Sequence, residues 1–246
     1  MSQPVDAFEL SLGRMSRAWT TSLVDDVAST FAAQAHPERA PEMSRYMKDK
    51  FVFLGLGATE RRRLQREVLR GRPKPGETEL TRVAKACWRR KEREVQYFAA
   101  DYVRAHVRRC SPSFIGVLQW HISHKPWWDT VDILAAHGVG PLVEEHPALR
   151  ATVDEWIEAE DFWLARSAIL HQLNYKANTD ADRLFAYCRL RASDPEFFAR
   201  KAIGWALREY SKTNPSAVRR FVEEQDETLS PLSKREALKW LEGRAQ

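Results

Sequence analysis

A chain of 246 residues can bury one substantial core or form a short array of units, but it cannot hold two large domains. With 43% hydrophobic and 30% charged residues it is too apolar to be disordered over most of its length. No apolar run approaches the roughly 18–20 residues needed to cross a bilayer, and the opening MSQPVDAFELSLGRMSR lacks an apolar export core, so a cytoplasmic protein is expected. Cys87, Cys110 and Cys188 are odd in number and widely spaced, which argues against a disulfide framework or a Cys-rich zinc site. Lys and Arg number 39 against 34 Asp and Glu, a formal charge of +5 that favours polyanionic partners without requiring one.

In chain order, residues 1–20 read as a poorly defined N-terminal extension and residues 21–246 as a single domain. Helical spacing begins with Val24, Val27 and Phe31, continues with Tyr46, Lys50, Phe51 and Phe53, and resumes at Val95, Phe98, Tyr102 and Val103. Between them a basic stretch, Glu60–Arg72, runs into the turn sequence RGRPKPGE. Further on, Pro147 reads as a first-turn proline, Asp194-Pro195 and Asn214-Pro215 as cap-plus-proline helix starts, and Ser233 with Glu236 as a capping box. Glycine is scarce and no Asn-Gly or Asp-Gly hairpin turn occurs, so an all-α fold without a sheet is expected.

Helix starts at such regular intervals point to repeats. WLARSAI at Trp163–Ile169 aligns with FFARKAI at Phe197–Ile203, placing Arg200 34 residues after Arg166; the same offset pairs Asp180 with Asn214 and Leu184 with Val218. KREAL at Lys234–Leu238 puts Arg235 a further 35 residues on. Each unit reads as a helical hairpin, which cannot bury both faces alone and stacks on its neighbours into an α-solenoid.

Phosphate-cradling GxxxxGK[ST] and GxGxxG loops and the hydrolase GxSxG elbow are absent. His121 and His124 could share a helix face, but with no cysteine nearby no metal is expected and a solvent- or DNA-facing role is preferred. Two stretches carry more information. In SHKPWWDTVDIL, a helix starting near Pro126 sends Trp127, Val131 and Leu134 to the core and sets Trp128 and Asp132 together on the next face; the alternative is a buried Trp and a solvated Asp. In FFARKAIGWALREYSKTNP, Phe198, Ala202, Ala206 and Tyr210 face inward while Lys201, Trp205, Arg208 and Lys212 form a line of cations and one aromatic, suited to a phosphodiester and a sugar or else to a plain solvated face. Arg166 lies one repeat earlier, where the alternative is an interhelix ion pair.

These blocks, WWDTVD at Trp127–Asp132, WLARSAIL, KAIGWALREYSKTNP and LSPLSKREALK, resemble the AlkD family of bacterial DNA alkylation repair glycosylases, and RYMKDKFVFLG at Arg45–Gly55, which includes Tyr46, is similar to that family's N-terminal block. The resemblance covers nearly the whole chain after about residue 25, with departures in the first 20 or so residues and in the loop after Asp132, at His137, Gly138 and Gly140. It implies a HEAT-like solenoid whose concave face holds duplex DNA, and excision of N3- and N7-alkylated purines without metal or organic cofactor. It further implies that Asp132 is the catalytic carboxylate, that Trp128 and Trp205 are the paired active-site tryptophans, and that Arg166 is the cleft arginine, here expected on a phosphate. Lys201, Arg208, Lys212 and Tyr46 complete the expected DNA contacts. The expected protein is a nucleoid-associated monomer acting in base excision repair, without a lyase step. Three readings compete with it: a glycosylase specialised for bulky, antibiotic-derived adducts, a non-catalytic DNA-binding solenoid, and a protein-binding scaffold. On the main reading Asp132→Asn should abolish excision and spare the fold.

Overall fold

A computed structural model describes the backbone of residues 5–243 and the side chains of residues 18–243. The expected extension over residues 1–20 therefore falls mostly outside the described side chains. The fold is all-α: helices account for every regular element among the described residues, and the only strand-like pairing is an isolated bridge between Val52 and Glu92. The chain forms two compact units, meeting in sequence at Ser111 and Pro112.

The first unit contains α1 (Val5–Ala33), α2 (Ala40–Tyr46), α3 (Ala58–Leu69), α4 (Glu77–Arg89) and α5 (Arg93–His106). In α4, Leu80, Val83, Ala84, Cys87 and Trp88 recur at helical spacing and are all buried, which gives the helix one wide apolar stripe. α4 packs against α1, whose Leu23, Val27 and Phe31 have no exposed surface, and against α5, which is buried along most of its length. RGRPKPGE is the α3–α4 turn, as expected from its Pro and Gly. The helical spacing read at Tyr46 to Phe53 is a correction: α2 stops at Tyr46, Lys48 and Asp49 take positive φ of 59° and 53°, and the following segment is irregular. Glu94 holds that segment, its carboxylate accepting from the backbone N–H groups of Leu54, Gly55 and Leu56 at 2.9–3.2 Å. Gly55 has φ +89°, and a Cβ there would lie 2.2 Å from the His36 carbonyl oxygen.

The second unit runs through α6 (Phe114–Ser123), α7 (Trp128–Leu134), a π-helical turn (Ala135–Val139), α8 (Gly140–Glu145) and α9 (Arg150–Glu158). It continues with α10 (Phe162–Leu170), α11 (Ala181–Leu190), α12 (Phe197–Ser211), α13 (Pro215–Glu224) and α14 (Pro231–Glu242). Within it, α10 packs on α9, α6 and α12, and α12 packs on α13 and α14, the stacking of successive hairpins that an α-solenoid requires. The 34-residue repeat is visible in the caps. Asp180 accepts from the Arg183 N–H at the start of α11, Asn214 accepts from the Ala217 N–H at the start of α13, and Leu184 and Val218 are both buried beneath.

Two expected helix starts shift. Asp194 precedes α12 by three residues and caps nothing in it, accepting instead from the Glu196 N–H. Ser230, not Ser233, caps α14, because Pro231 and the hydroxyl of Ser230 open the helix a turn earlier; Ser233 is already helical and donates to the Arg200 carbonyl at 3.0 Å. Pro147 opens a short 3-10 turn ahead of α9.

Candidate functional site

Asp132 of α7, Arg166 of α10, Lys201, Trp205 and Arg208 of α12 and Glu236 of α14 are joined by a continuous set of contacts. α7 starts two residues later than Pro126, with Trp127 as its extended N-cap residue. The Trp127 ring therefore leaves the helix stripe and packs against Trp163 of α10 and Phe198 of α12, at centroid distances of 5.9 and 5.0 Å. Trp163 and Phe198 close the cluster at 5.3 Å. Three aromatic rings from three segments thus fix α7, α10 and α12 relative to one another. Val131 and Leu134 are buried as expected, and Trp128 and Asp132, one turn apart, are half-buried on the adjoining face.

Arg166 reaches Asp132 from α10 with a two-pronged fork, Nε to Oδ1 at 2.7 Å and a terminal N–H to Oδ2 at 2.8 Å. Its other terminal nitrogen donates to the Phe198 carbonyl on α12. The Arg166 side chain is 0% exposed and that of Asp132 21% exposed. The interhelix ion pair, the alternative read for Arg166, is present, and its guanidinium is buried against the carboxylate. Arg166 thereby orients Asp132 and leaves one side of it to solvent. A fork of this kind matches two acceptor oxygens of an ionised carboxylate. Desolvation pushes the Asp132 carboxyl above its ordinary value, and Arg166 opposes that shift.

Trp205 stands beside this pair. The Arg166 guanidinium carbon is 5.3 Å from its ring centroid and Lys201 Nζ is 5.5 Å away, both within cation–π range. The expected inward stripe of α12 is broader than read, with Ala199, Ile203, Gly204 and Leu207 buried as well as Ala202 and Ala206, while Phe198 and Tyr210 are half-buried. The cation line is not a plain solvated row. Glu236 of α14 accepts from Lys201 at 2.7 Å and from Arg208 at 2.8 Å, and Lys212 pairs with Glu209. The Lys201 hydrogen bond holds Glu236 below its ordinary value against desolvation. Sequence reading assigned Glu236 only to a capping box and missed this role.

Tyr46 is 69% exposed and belongs to the first unit. His121 is buried, against the solvent- or DNA-facing expectation, with Nδ1 on the Val117 carbonyl; His124 stacks on Trp120 at 4.1 Å. Among the described residues no His, Cys, Asp and Glu side chains cluster in a way that could hold a metal ion, and no helix is long and apolar enough to cross a membrane.

The chain as a whole has relatives among known proteins. The family model of DNA alkylation repair enzymes matches residues 27–241. The chain belongs to that family, the AlkD-like group to which its Trp-rich blocks pointed. More particularly, it is similar to a solved structure described as a predicted DNA alkylation repair enzyme from Enterococcus faecalis, at 37% identity and a TM-score of 0.78, covering 84% of this chain and 96% of the other. No curated protein matches.

Proposed function

We propose that the protein is a monofunctional DNA N-glycosylase that removes cationic N3- and N7-alkylated purines from duplex DNA, the first step of base excision repair, acting as a monomer at the nucleoid. The observation that carries this reading is the Asp132–Arg166 fork, which presents an oriented, partly solvent-facing carboxylate beside Trp128 and Trp205. Supporting it is membership of a DNA alkylation repair family.

An alkylated purine already carries positive charge, so its departure needs no protonation. The N-glycosidic bond breaks with its electron pair going to the base, which leaves neutral, and positive charge develops on the sugar. Asp132 stabilises that charge and accepts a proton from the water that attacks the anomeric carbon. Trp128 and Trp205 supply aromatic faces to the same sugar, at about 0.5–2 kcal/mol each. Lys201, Arg208, Lys212 and Tyr46 are assigned to the DNA backbone, and Arg166 to orienting Asp132. No metal or organic cofactor enters the chemistry.

The reading is tested by incubating the protein with duplexes carrying N7-methylguanine, N3-methyladenine or a bulky N3-adenine adduct and measuring free base. Release of the methylated bases supports it, release of the bulky base alone marks a specialised enzyme, and binding without release returns the protein to a non-catalytic DNA-binding role.

A further inference from the structure

The helix that carries Asp132 does not continue regularly. After Leu134 the backbone widens into a π-turn, in which the Gly140 N–H donates to the Ala135 carbonyl five residues back. The sequence explains why. Pro141 has no N–H, and in a regular helix its ring would strike the His137 carbonyl four residues back. The wider turn relieves that clash but takes from the Ala136 carbonyl its regular donor, Gly140. Asn174, just beyond α10, supplies the replacement, donating from its side-chain amide to the Ala136 carbonyl at 2.9 Å. The Tyr175 hydroxyl donates to the Gly140 carbonyl at 2.7 Å. Gly140 allows the close approach, since a Cβ there would lie 2.3 Å from the His171 carbonyl oxygen.

A residue advances an α-helix by about 100°, so one residue gained or lost between Leu134 and Gly140 turns α7 relative to α8 by that angle. Asp132 would then leave Arg166, because α10 is fixed by its own packing. We infer that Asn174 and Tyr175 are positioning residues: they hold the π-turn at Ala135–Val139, and the π-turn sets the rotational phase at which Asp132 meets Arg166. This inference rests on the glycosylase reading and deepens it by naming what aims its carboxylate.

The test uses Tyr175→Phe, which removes one oxygen, Asn174→Leu, which keeps the shape without the donor, and the double variant. Single-turnover release of N7-methylguanine should fall tenfold to a hundredfold in the double variant, on the order expected for a misplaced catalytic group, with affinity for the same duplex unchanged. A loss of affinity matching the loss of rate, or an unchanged rate, overturns the inference. A thermal double-mutant cycle with Asp132→Asn provides a readout independent of base release. If the two residues act through the Asp132–Arg166 pair, their removal lowers Tm less when Asp132 is already Asn, whereas strict additivity overturns the inference. Should Asn174→Leu fail to fold, Tyr175→Phe carries both measurements. Should the wild type release no base, the glycosylase reading falls and the cycle still decides the positioning role.

Discussion

Gly204 and Glu236 touch where α12 meets α14: a Cβ built on the glycine would lie 2.4 Å from the Cβ of the glutamate and 3.0 Å from the Ser233 carbonyl oxygen. Glycine is therefore what allows α14 to come close enough for one carboxylate to reach both Lys201 and Arg208. Gly204→Ala gains helix propensity but overpacks the contact, and overpacking costs about 1–3 kcal/mol. A lowered Tm in thermal unfolding is expected; an unchanged or raised Tm would show that the two helices separate at no cost.

Glu236 also neutralises part of the cation line. Glu236→Gln removes one negative charge beside Lys201 and Arg208, so affinity for undamaged duplex should rise. The log–log dependence on salt should steepen by roughly 0.9, the contribution of one more neutralised phosphate. Fluorescence anisotropy across a salt series reads both quantities, and an unaltered slope would place these cations away from the DNA.

For Asp132→Asn the structure changes what sequence alone suggests. Excision should fall by about 10²–10³, as for other groups aimed at developing charge. The fold is not spared, because the substitution leaves Arg166 buried without its carboxylate, and breaking a buried pair costs about 3–5 kcal/mol. Base release and Tm measured on one preparation should both drop. A Tm equal to that of the wild type would mean that Arg166 finds another acceptor.

The acid side of the pH profile follows from the same carboxyl. The proposed mechanism needs Asp132 ionised, and desolvation raises its pKa, so protonation and loss of rate should begin at higher pH than for an exposed aspartate, whose pKa is near 3.9. Arg166 opposes that rise. Arg166→Gln should therefore move the acid limb of the single-turnover rate to still higher pH, and a limb moved to lower pH would assign it to another group.

How much of this was legible in the sequence depends on whether the deciding contact was local. The caps at Asp180 and Asn214, the buried pair Leu184 and Val218, and the shared face of Trp128 and Asp132 follow from spacing along one helix or one repeat. The Asp132–Arg166 pair was within reach as well, since its partners are 34 residues apart, one repeat, and Lys201 and Glu236 are 35 apart. The same offset that aligns the helices brings these opposite charges together, and it names the partner that the ion-pair alternative for Arg166 lacks. The irregular segment after Tyr46 was not legible, because it depends on positive φ at Lys48 and Asp49 and on the distant Glu94 carboxylate. Likewise, the helical character of residues 135–139, where His137, Gly138 and Gly140 suggest a loop, depends on donors from Asn174 and Tyr175, 38 and 35 positions from their acceptors.

The three cysteines bear on how long such a protein survives at its work. Cys87 and Cys188 are fully buried and Cys110 nearly so. Desolvation raises all three thiols, Cys110 up to about 11. The thiolate is the form that attacks electrophiles, so each sulfur is both shielded and kept protonated at neutral pH. The reagents that alkylate DNA would equally consume an exposed thiolate, and this chain offers them none. Intact-mass measurement after brief treatment with iodoacetamide should show little adduct on the folded protein and three on the denatured chain, so that damage which multiplies the work of repair spares the repairer's own thiols.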